Sequence, residues 1–165
     1  MVKLVPLHWI LLSFLFACSS TDDNENNSME ESEMISESIE TAAVTAVSVS
    51  GNENSYTFSV TISSPDLGCN QYADWWEVID TEGNLIYRRI LAHSHVDEQP
   101  FTRSGGAVQI SATTQVYVRA HMNNSGFGTK AFGGSVSDGF NAFELSEDFA
   151  SDLESSEPLP NGCAF

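Results

Sequence analysis

The sequence predicts an all-β fold, a seven-stranded antiparallel β-sandwich, and two observations carry this prediction. Apolar and polar residues alternate with a period of two in short segments, most clearly where Tyr56, Phe58, Val60 and Ile62 are separated by Ser and Thr. Turn-forming residues divide these segments at the spacing typical of a sandwich. An amphipathic helix of useful length is predicted at most in 143–153.

The predicted strands are joined by recognisable breaks and turns. Pro65 interrupts the chain after the second strand, the loop 81–84 makes a hairpin of the third and fourth, and 123–126 turns the chain into the last strand. The strands predicted in this way are 41–50, 56–62, 74–80, 85–93, 107–111, 115–122 and 131–137.

The first residues have the pattern of a secretion signal. Residues 1–17 carry one cation, Lys3, and then an apolar run that is too short to span a bilayer. The run ends in Leu15, Phe16, Ala17 and Cys18, which resembles the bacterial lipobox. That resemblance implies removal of 1–17, lipidation of Cys18 and attachment to a membrane through the lipid. The alternative is an ordinary secretory signal with an incidental cysteine.

Residues 18–40 are predicted to form a disordered acidic tether. Positions 19–40 contain eight acidic residues and no base, so the segment repels itself and has little apolar surface to bury. The acidic run after the cysteine resembles the export signals of surface lipoproteins in the Bacteroidota. This implies an outer-membrane lipoprotein, either surface-exposed or periplasm-facing, although a plain spacer is the alternative.

The charge and composition of the chain limit the classes of partner that it can bind. The formal net charge is −17, and six acidic residues lie in 144–157. No basic stripe exists to release counterions, so nucleic acid is excluded as a partner. The acidic C-terminal segment 143–165 lacks the spacing of a calcium loop, and solvated charge is the favoured interpretation. The predicted organisation is a signal peptide at 1–17, a disordered acidic tether at 18–40, a β-sandwich domain at 41–142 and an acidic C-terminal segment at 143–165.

Two cysteines remain if Cys18 is lipidated. Cys69 and Cys163 lie in a compartment that permits oxidation, and we expect them to form a disulfide. Such a bond would pin the C-terminal segment back onto the sandwich.

The segment 115–128 reads QVYVRAHMNNSGFG and resembles the sixth strand and following turn of fibronectin type III domains. Residues 75–78 match the third strand of that family. The resemblance implies a fibronectin type III/Ig-like sandwich in which the third strand lies between the fourth and the sixth. The block 69–106 also resembles a group of secreted bacterial proteins without an assigned activity.

The resemblance places several polar side chains on one outward sheet face. Arg119 and His121 lie on the face of the sixth strand that points away from the core. Arg89 and His93 share one face of the fourth strand. Glu77, if outward, would lie between Arg89 and Arg119. This composition suits a binding platform, and a ladder of salt bridges serving only solubility is the alternative.

The connection 93–106 is the densest polar segment. It contains His93, His95, Glu98 and Arg103, and loops on a rigid scaffold commonly carry function. His93 and His95, joined by His121 and an acidic oxygen, would suit zinc or copper. In the structural alternative, the histidines and Glu98 hydrogen-bond to arginines or backbone amides.

No catalytic motif is recognised, and no cofactor is expected other than zinc or copper under the metal alternative. Trp75 or Trp76 could stack on a sugar ring if exposed, although a core position is favoured. We therefore predict a non-enzymatic, membrane-anchored binding or adhesion module with a glycan or protein ligand. The predicted binding residues are Arg89, His93, His95, Glu98, Arg103, Arg119 and His121.

Overall fold

The computed structural model describes residues 41–164. The predicted signal peptide, the lipidation site Cys18 and the acidic tether lie outside the described residues. The strands are β1 (Ala43–Asn52), β2 (Ser55–Ser63), β3 (Ala73–Asp80), β4 (Leu85–Ile90), β5 (Phe101–Val108), β6 (Val116–Met122), β7 (Gly126–Phe127), β8 (Lys130–Ser135) and β9 (Gly139–Glu144), followed by a 3-10 helix, Ser151–Ser155.

The strands form two antiparallel sheets. One has the order β1-β2-β5, and the other has the order β4-β3-β6-β8-β9 with β7 paired to β6. As expected, the third strand lies between the fourth and the sixth. The described residues form nine strands, two more than the seven predicted. The two additional strands are β7, which is only two residues long, and β9, which lacks a regular alternation of apolar and polar residues.

Strand β5 differs most from its predicted bounds, since it begins at Phe101 rather than at residue 107. Gly105 was interpreted as part of a loop, but it lies inside the strand. A Cβ at this position would lie 2.6 Å from the Tyr87 hydroxyl oxygen and 3.1 Å from Trp76 Cζ2. The glycine therefore lets two aromatic rings approach the backbone and does not end the strand.

The sheets pack through one apolar core. The alternating residues of β2 and β6 are buried as predicted, and they meet Trp76 and Val78 of β3 and Phe101 of β5. Burial of each large apolar side chain stabilises the fold by about 1.5 to 3 kcal/mol. The period-two pattern thus places its apolar residues between the sheets.

A second, smaller apolar cluster covers the opposite face of the six-stranded sheet. Residues 145–164, here called the C-terminal strap, bring Leu145 and Leu153 onto Ile79 and Ala131. The predicted disulfide between Cys69 and Cys163 is present. With both faces of the sheet covered, seven of the eight residues of β3 are buried.

Within residues 41–164, no helix has the length and apolar character needed to cross a membrane.

Candidate functional site

The structure separates the predicted binding residues into two groups. Arg119 and His121 lie beneath the C-terminal strap and are 1% and 7% exposed, so they do not form an open platform with Arg89. The other five residues gather around the connection between β4 and β5. Arg89, His93, His95 and Arg103 line one pocket, and Glu98 binds Arg103.

Beneath the strap, Glu77 joins two arginines in a buried network. Glu77 Oε2 accepts hydrogen bonds from Arg88 Nε at 2.9 Å and Arg88 Nη2 at 2.7 Å, and its Oε1 accepts one from Arg119 Nε at 2.9 Å. The sequence predicts that an outward Glu77 lies between Arg89 and Arg119, but in the observed register Glu77 lies opposite Arg88, and Trp76 lies opposite Arg89. The expected position of Arg119 beside Glu77 is observed.

The remaining guanidinium donors bind carbonyl oxygens of the strap. Arg88 Nη1 donates to Ser156 O at 2.6 Å, Arg88 Nη2 to Leu153 O at 2.7 Å, and Arg119 Nη2 to Ala150 O at 2.9 Å. Burial lowers the pKa of Arg119, against the attraction of Glu77. The network therefore ties the strap to the sheet and has no surface to offer a ligand.

His121 is held within the same covered face. Its ring stacks on Trp75 with centroids 3.6 Å apart, and its Nδ1 lies 2.7 Å from Asp74 Oδ1. Trp75 and Trp76 are 3% and 0% exposed, so neither is open to a sugar ring. His121 lies on β6, which β3 separates from β4, the strand that precedes the connection with the other two predicted ligands.

The predicted metal centre is not assembled in the described part of the chain. Among residues 41–164, no group of three or more His, Cys, Asp and Glu side chains is arranged to hold a metal ion. The structural alternative for this loop accounts for Glu98, whose Oε2 accepts a hydrogen bond from Arg103 Nη2 at 2.7 Å. That bond lowers the pKa of Glu98.

Asp66 organises the connection between β4 and β5. Its buried carboxylate accepts hydrogen bonds from the backbone N–H of His95 at 2.7 Å, from the backbone N–H of Ala73 at 3.0 Å, and from Ser64 Oγ at 2.7 Å. Gln99 donates to His95 O at 3.2 Å. Local polar groups thus satisfy the backbone of an irregular segment, as burial requires.

The pocket formed here, called the edge pocket below, has a volume of about 110 Å³. Its polar lining is Arg89, His93, His95 and Arg103, and its remaining lining is Ile90, Leu91 and Ala92. Arg89 donates from Nε to Ser104 O at 3.2 Å and from Nη1 to Ile90 O at 3.0 Å, which orients the guanidinium. The pocket is therefore cationic in a strongly acidic chain.

His95 has an unusual environment in the edge pocket. The side chain is 1% exposed, its ring stacks on Phe101 with centroids 3.8 Å apart, and the ring of His93 lies 4.5 Å away. Neither ring nitrogen of His95 has a hydrogen-bond partner among residues 41–164. Burial, followed by the charges of Arg103 and His93, lowers the pKa of His95. These surroundings therefore favour the neutral imidazole.

A larger depression of about 490 Å³ lies over β6, β8 and β9. Tyr117 and Phe143 stack within it at 4.8 Å. Its acidic group is already paired, since Asp138 accepts hydrogen bonds from Ser135 Oγ at 2.8 Å and Gln115 Nε2 at 3.3 Å. The edge pocket has two cations, and the buried imidazole of His95 makes no hydrogen bond within residues 41–164, so it is the better candidate site.

Sequence reasoning missed the roles of Asp66 and Asp74, and it missed the contact between Arg88 and Glu77. The run Ser64-Pro65-Asp66 was interpreted only as a strand break, although an aspartate after a turn signal commonly binds backbone amides. Arg88 and Arg89 are adjacent, so a shift of one residue in the pairing of β3 with β4 decides which of them lies opposite Glu77. The pairing is irregular between Val78 and Ile79. The alternation of apolar and polar residues alone does not choose between Arg88 and Arg89.

Comparison with known proteins gives one informative similarity. A protein of Halomicrobium mukohataei, described as "Putative lipoprotein", is 43% identical over 74 residues, which are 45% of this chain. The matched stretch covers 36% of that relative, so this chain spans about a third of its length. No family model matches the chain, and no solved structure matches it.

Proposed function

We propose that the chain is a lipid-anchored surface protein of the outer membrane whose sandwich is a non-catalytic binding or adhesion module. The lipobox-like sequence ending at Cys18 and the description of the Halomicrobium relative support the anchor. The acidic run after Cys18 supports exposure at the surface. The sequence contains no recognised catalytic motif, which favours a role in binding over one in catalysis.

We also propose that the sandwich has a fibronectin type III/Ig-like topology. Two features support it: a three-stranded sheet ordered β1-β2-β5, and a second sheet in which β3 lies between β4 and β6. Domains of this architecture commonly present ligand-binding residues on loops and edges held by the two sheets. The edge pocket occupies such a position.

One observation carries the binding proposal: Arg89 at the end of β4 and His93, His95 and Arg103, which follow it in the chain, line one pocket. Arginine contributes strongly at recognition surfaces because its planar fork donates several directed hydrogen bonds. Glycans and proteins are the expected ligand classes. Within residues 41–164, no group of His, Cys, Asp and Glu side chains favours the alternative of metal binding.

The anchor is tested by a Cys18→Ser substitution in the full-length chain. We expect the wild-type protein to fractionate with membranes and to incorporate a labelled fatty acid, and the variant to do neither. Membrane association and labelling that persist in the variant would contradict the proposed anchor.

The binding module is tested by displaying the full-length protein on cells and measuring retention on immobilised glycans and proteins. A double variant, Arg89→Gln with Arg103→Gln, should lose retention, whereas Lys130→Gln should keep it. Lys130 is an exposed cation on β8 outside the edge pocket and serves as the charge control. Equal retention by all three forms would show that the pocket is not the recognition site.

A further inference from the structure

We propose that the edge pocket binds a carboxylate group of a ligand with little other negative charge, and that His95 takes up a proton when it binds. This inference rests on the proposed function, because it takes the edge pocket to be the recognition site. It adds the chemical class of the ligand and the dependence of its affinity on pH.

The distribution of cations is the first argument. The chain has six Lys and Arg residues, and Lys3 lies outside the described residues. Arg88 and Arg119 are buried against Glu77. Of the three cations that remain in the described part of the chain, Arg89 and Arg103 line the edge pocket. A protein with few available cations has thus placed two of them beside two imidazoles.

The guanidinium geometry favours an oxygen anion. Arg89 is oriented by the carbonyls of Ser104 and Ile90, and no acidic side chain forms an ion pair with it within residues 41–164. Arg103 Nη2 binds Glu98, whose side chain is 58% exposed and therefore free to turn into solvent. An incoming carboxylate replaces Glu98 on Arg103 and adds Arg89, with the paired hydrogen bonds that arginine makes to planar anions.

Size and total charge narrow the ligand class. A volume of about 110 Å³, lined in part by Ile90, Leu91 and Ala92, admits a carboxylate with a short apolar stem and not an extended polyanion. The net charge of −17 also repels a ligand that carries many negative charges. A single carboxylate on an otherwise neutral sugar or peptide satisfies both conditions.

His95 provides the link to protons. The charged and titratable groups that face its ring are Asp66, with Oδ2 3.9 Å from Nδ1, together with His93, Arg103 and Glu98. Burial, followed by the charge of Arg103, lowers the pKa of His95 and favours the neutral ring. A bound carboxylate reverses this balance, and a protonated ring gains Asp66 as a partner. The ring nitrogens are buried, so the coupling acts through charge and needs no direct contact with the ligand.

The test uses the full-length protein in detergent and two matched pairs of probes. Glucuronate is compared with glucose, and N-acetylalanine is compared with its amide, so that sugar and peptide carboxylates are distinguished. We expect at least one carboxylate to bind and neither neutral probe to do so, measured by calorimetry and by amide chemical shifts. Failure of both carboxylates to saturate, or equal binding of a neutral match, would overturn the proposal.

Variants assign the binding to the edge pocket. Arg89→Gln and Arg103→Gln should each lower carboxylate affinity about tenfold, the equivalent of about 1.4 kcal/mol. Glu98→Gln should raise affinity because the competing carboxylate is removed. Lys130→Gln changes the net charge by the same amount as either arginine variant and should leave affinity unchanged. Equal losses in the Lys130 and arginine variants would reduce the effect to bulk charge and overturn the assignment.

The proton is measured by calorimetry in buffers of different ionisation enthalpy. We expect proton uptake on binding and tighter binding at about pH 5 than at about pH 8, since histidine gains its charge in this range. His95→Phe preserves a ring against Phe101 and should abolish most of the uptake, whereas His93→Gln should retain it. If uptake persists in His95→Phe and disappears in His93→Gln, the proton binds to His93, and the role proposed for His95 is wrong.

Failure of this inference is distinguishable from failure of the proposed function. If the displayed protein is retained on a surface through Arg89 and Arg103 but binds neither carboxylate probe, the ligand class is wrong and the binding module stands. If retention does not depend on these arginines, the pocket itself is wrongly assigned.

Discussion

At the scale of single residues, one buried carboxylate holds two buried guanidinium groups. Glu77 is 0% exposed and lies between Arg88 and Arg119. The sequence indicated a Glu–Arg contact between neighbouring strands, but the choice of Arg88 over Arg89 depends on the register. A shift of one residue exchanges the two faces of a strand, and here the register leaves Arg89 available to the edge pocket.

Glu77→Gln should strongly destabilise the protein, because it leaves two buried arginines without a countercharge. Breaking a buried pair from one side typically costs about 3 to 5 kcal/mol in the free energy of unfolding. The matched control is Glu98→Gln, which removes an exposed partner of Arg103 and should change stability little. Denaturant unfolding of both variants measures the difference. Similar small losses in both would contradict the role given to Glu77.

His95 should make stability depend on pH. Its pKa in the folded protein is lowered from 6.5, mainly by burial, so below about pH 6.5 the unfolded chain binds more protons at this residue than the folded chain does. Stability therefore falls as the pH drops through this range and is recovered as the pH rises toward neutral. Melting curves from about pH 5 to about pH 7.5 should show this slope.

His95→Phe is the comparison for this slope, because phenylalanine keeps a ring against Phe101 and does not titrate. The variant should lose less stability than the wild type on acidification. An identical pH dependence in both proteins would show that other groups, such as the carboxylates, account for it.

At the scale of elements, the C-terminal strap closes the outer face of the six-stranded sheet. Its sequence is strongly acidic and was expected to behave as solvated charge pinned by Cys163. The structure shows that a few apolar side chains within it, including Leu145 and Leu153, pack on Ile79, while strap carbonyls bind Arg88 and Arg119. These contacts could not be predicted from the acidic composition, because only a few isolated apolar residues of the strap pack on the sheet.

Leu153→Ala tests this packing. Leu153 lies in the 3-10 helix and is 8% exposed, so truncation should cost about 2 kcal/mol or more. The same substitution at Leu67, which is 77% exposed, should change the free energy of unfolding by no more than about 0.5 kcal/mol. Denaturant midpoints of the two variants give the comparison. Equal effects would mean that the strap does not contribute a core.

At the scale of the whole molecule, the disulfide between Cys69 and Cys163 links residues 94 positions apart. Ala164 N also donates to Ala92 O at 2.6 Å, so the end of the chain is fastened beside the connection that carries the edge pocket. Pocket, loop and strap are therefore joined in one covalent and hydrogen-bonded unit.

Cys163→Ser should lower the stability by about 4 to 5 kcal/mol in the chain-entropy account, because the unfolded chain regains a long open loop. Thiol titration of the unfolded variant should detect one more free thiol than the wild type. Cys18→Ser serves as the control and should leave the melting temperature unchanged. Retention of wild-type stability in Cys163→Ser would show that the strap holds without the covalent bond.

The sequence by itself determined the all-β class, the alternating cores of β2 and β6, and the disulfide partners. These properties depend on local periodicity and on the small number of cysteines. The four polar residues that line the edge pocket were among the seven binding residues predicted from sequence, since they lie in one dense polar segment and on the adjoining strand. Tertiary structure alone decided that Glu77, Arg119 and His121 are covered, because that outcome depends on where a distant acidic segment packs. The register of β3 against β4, which selects Arg88 for the buried network and leaves Arg89 for the pocket, is likewise set by long-range pairing and not by local pattern.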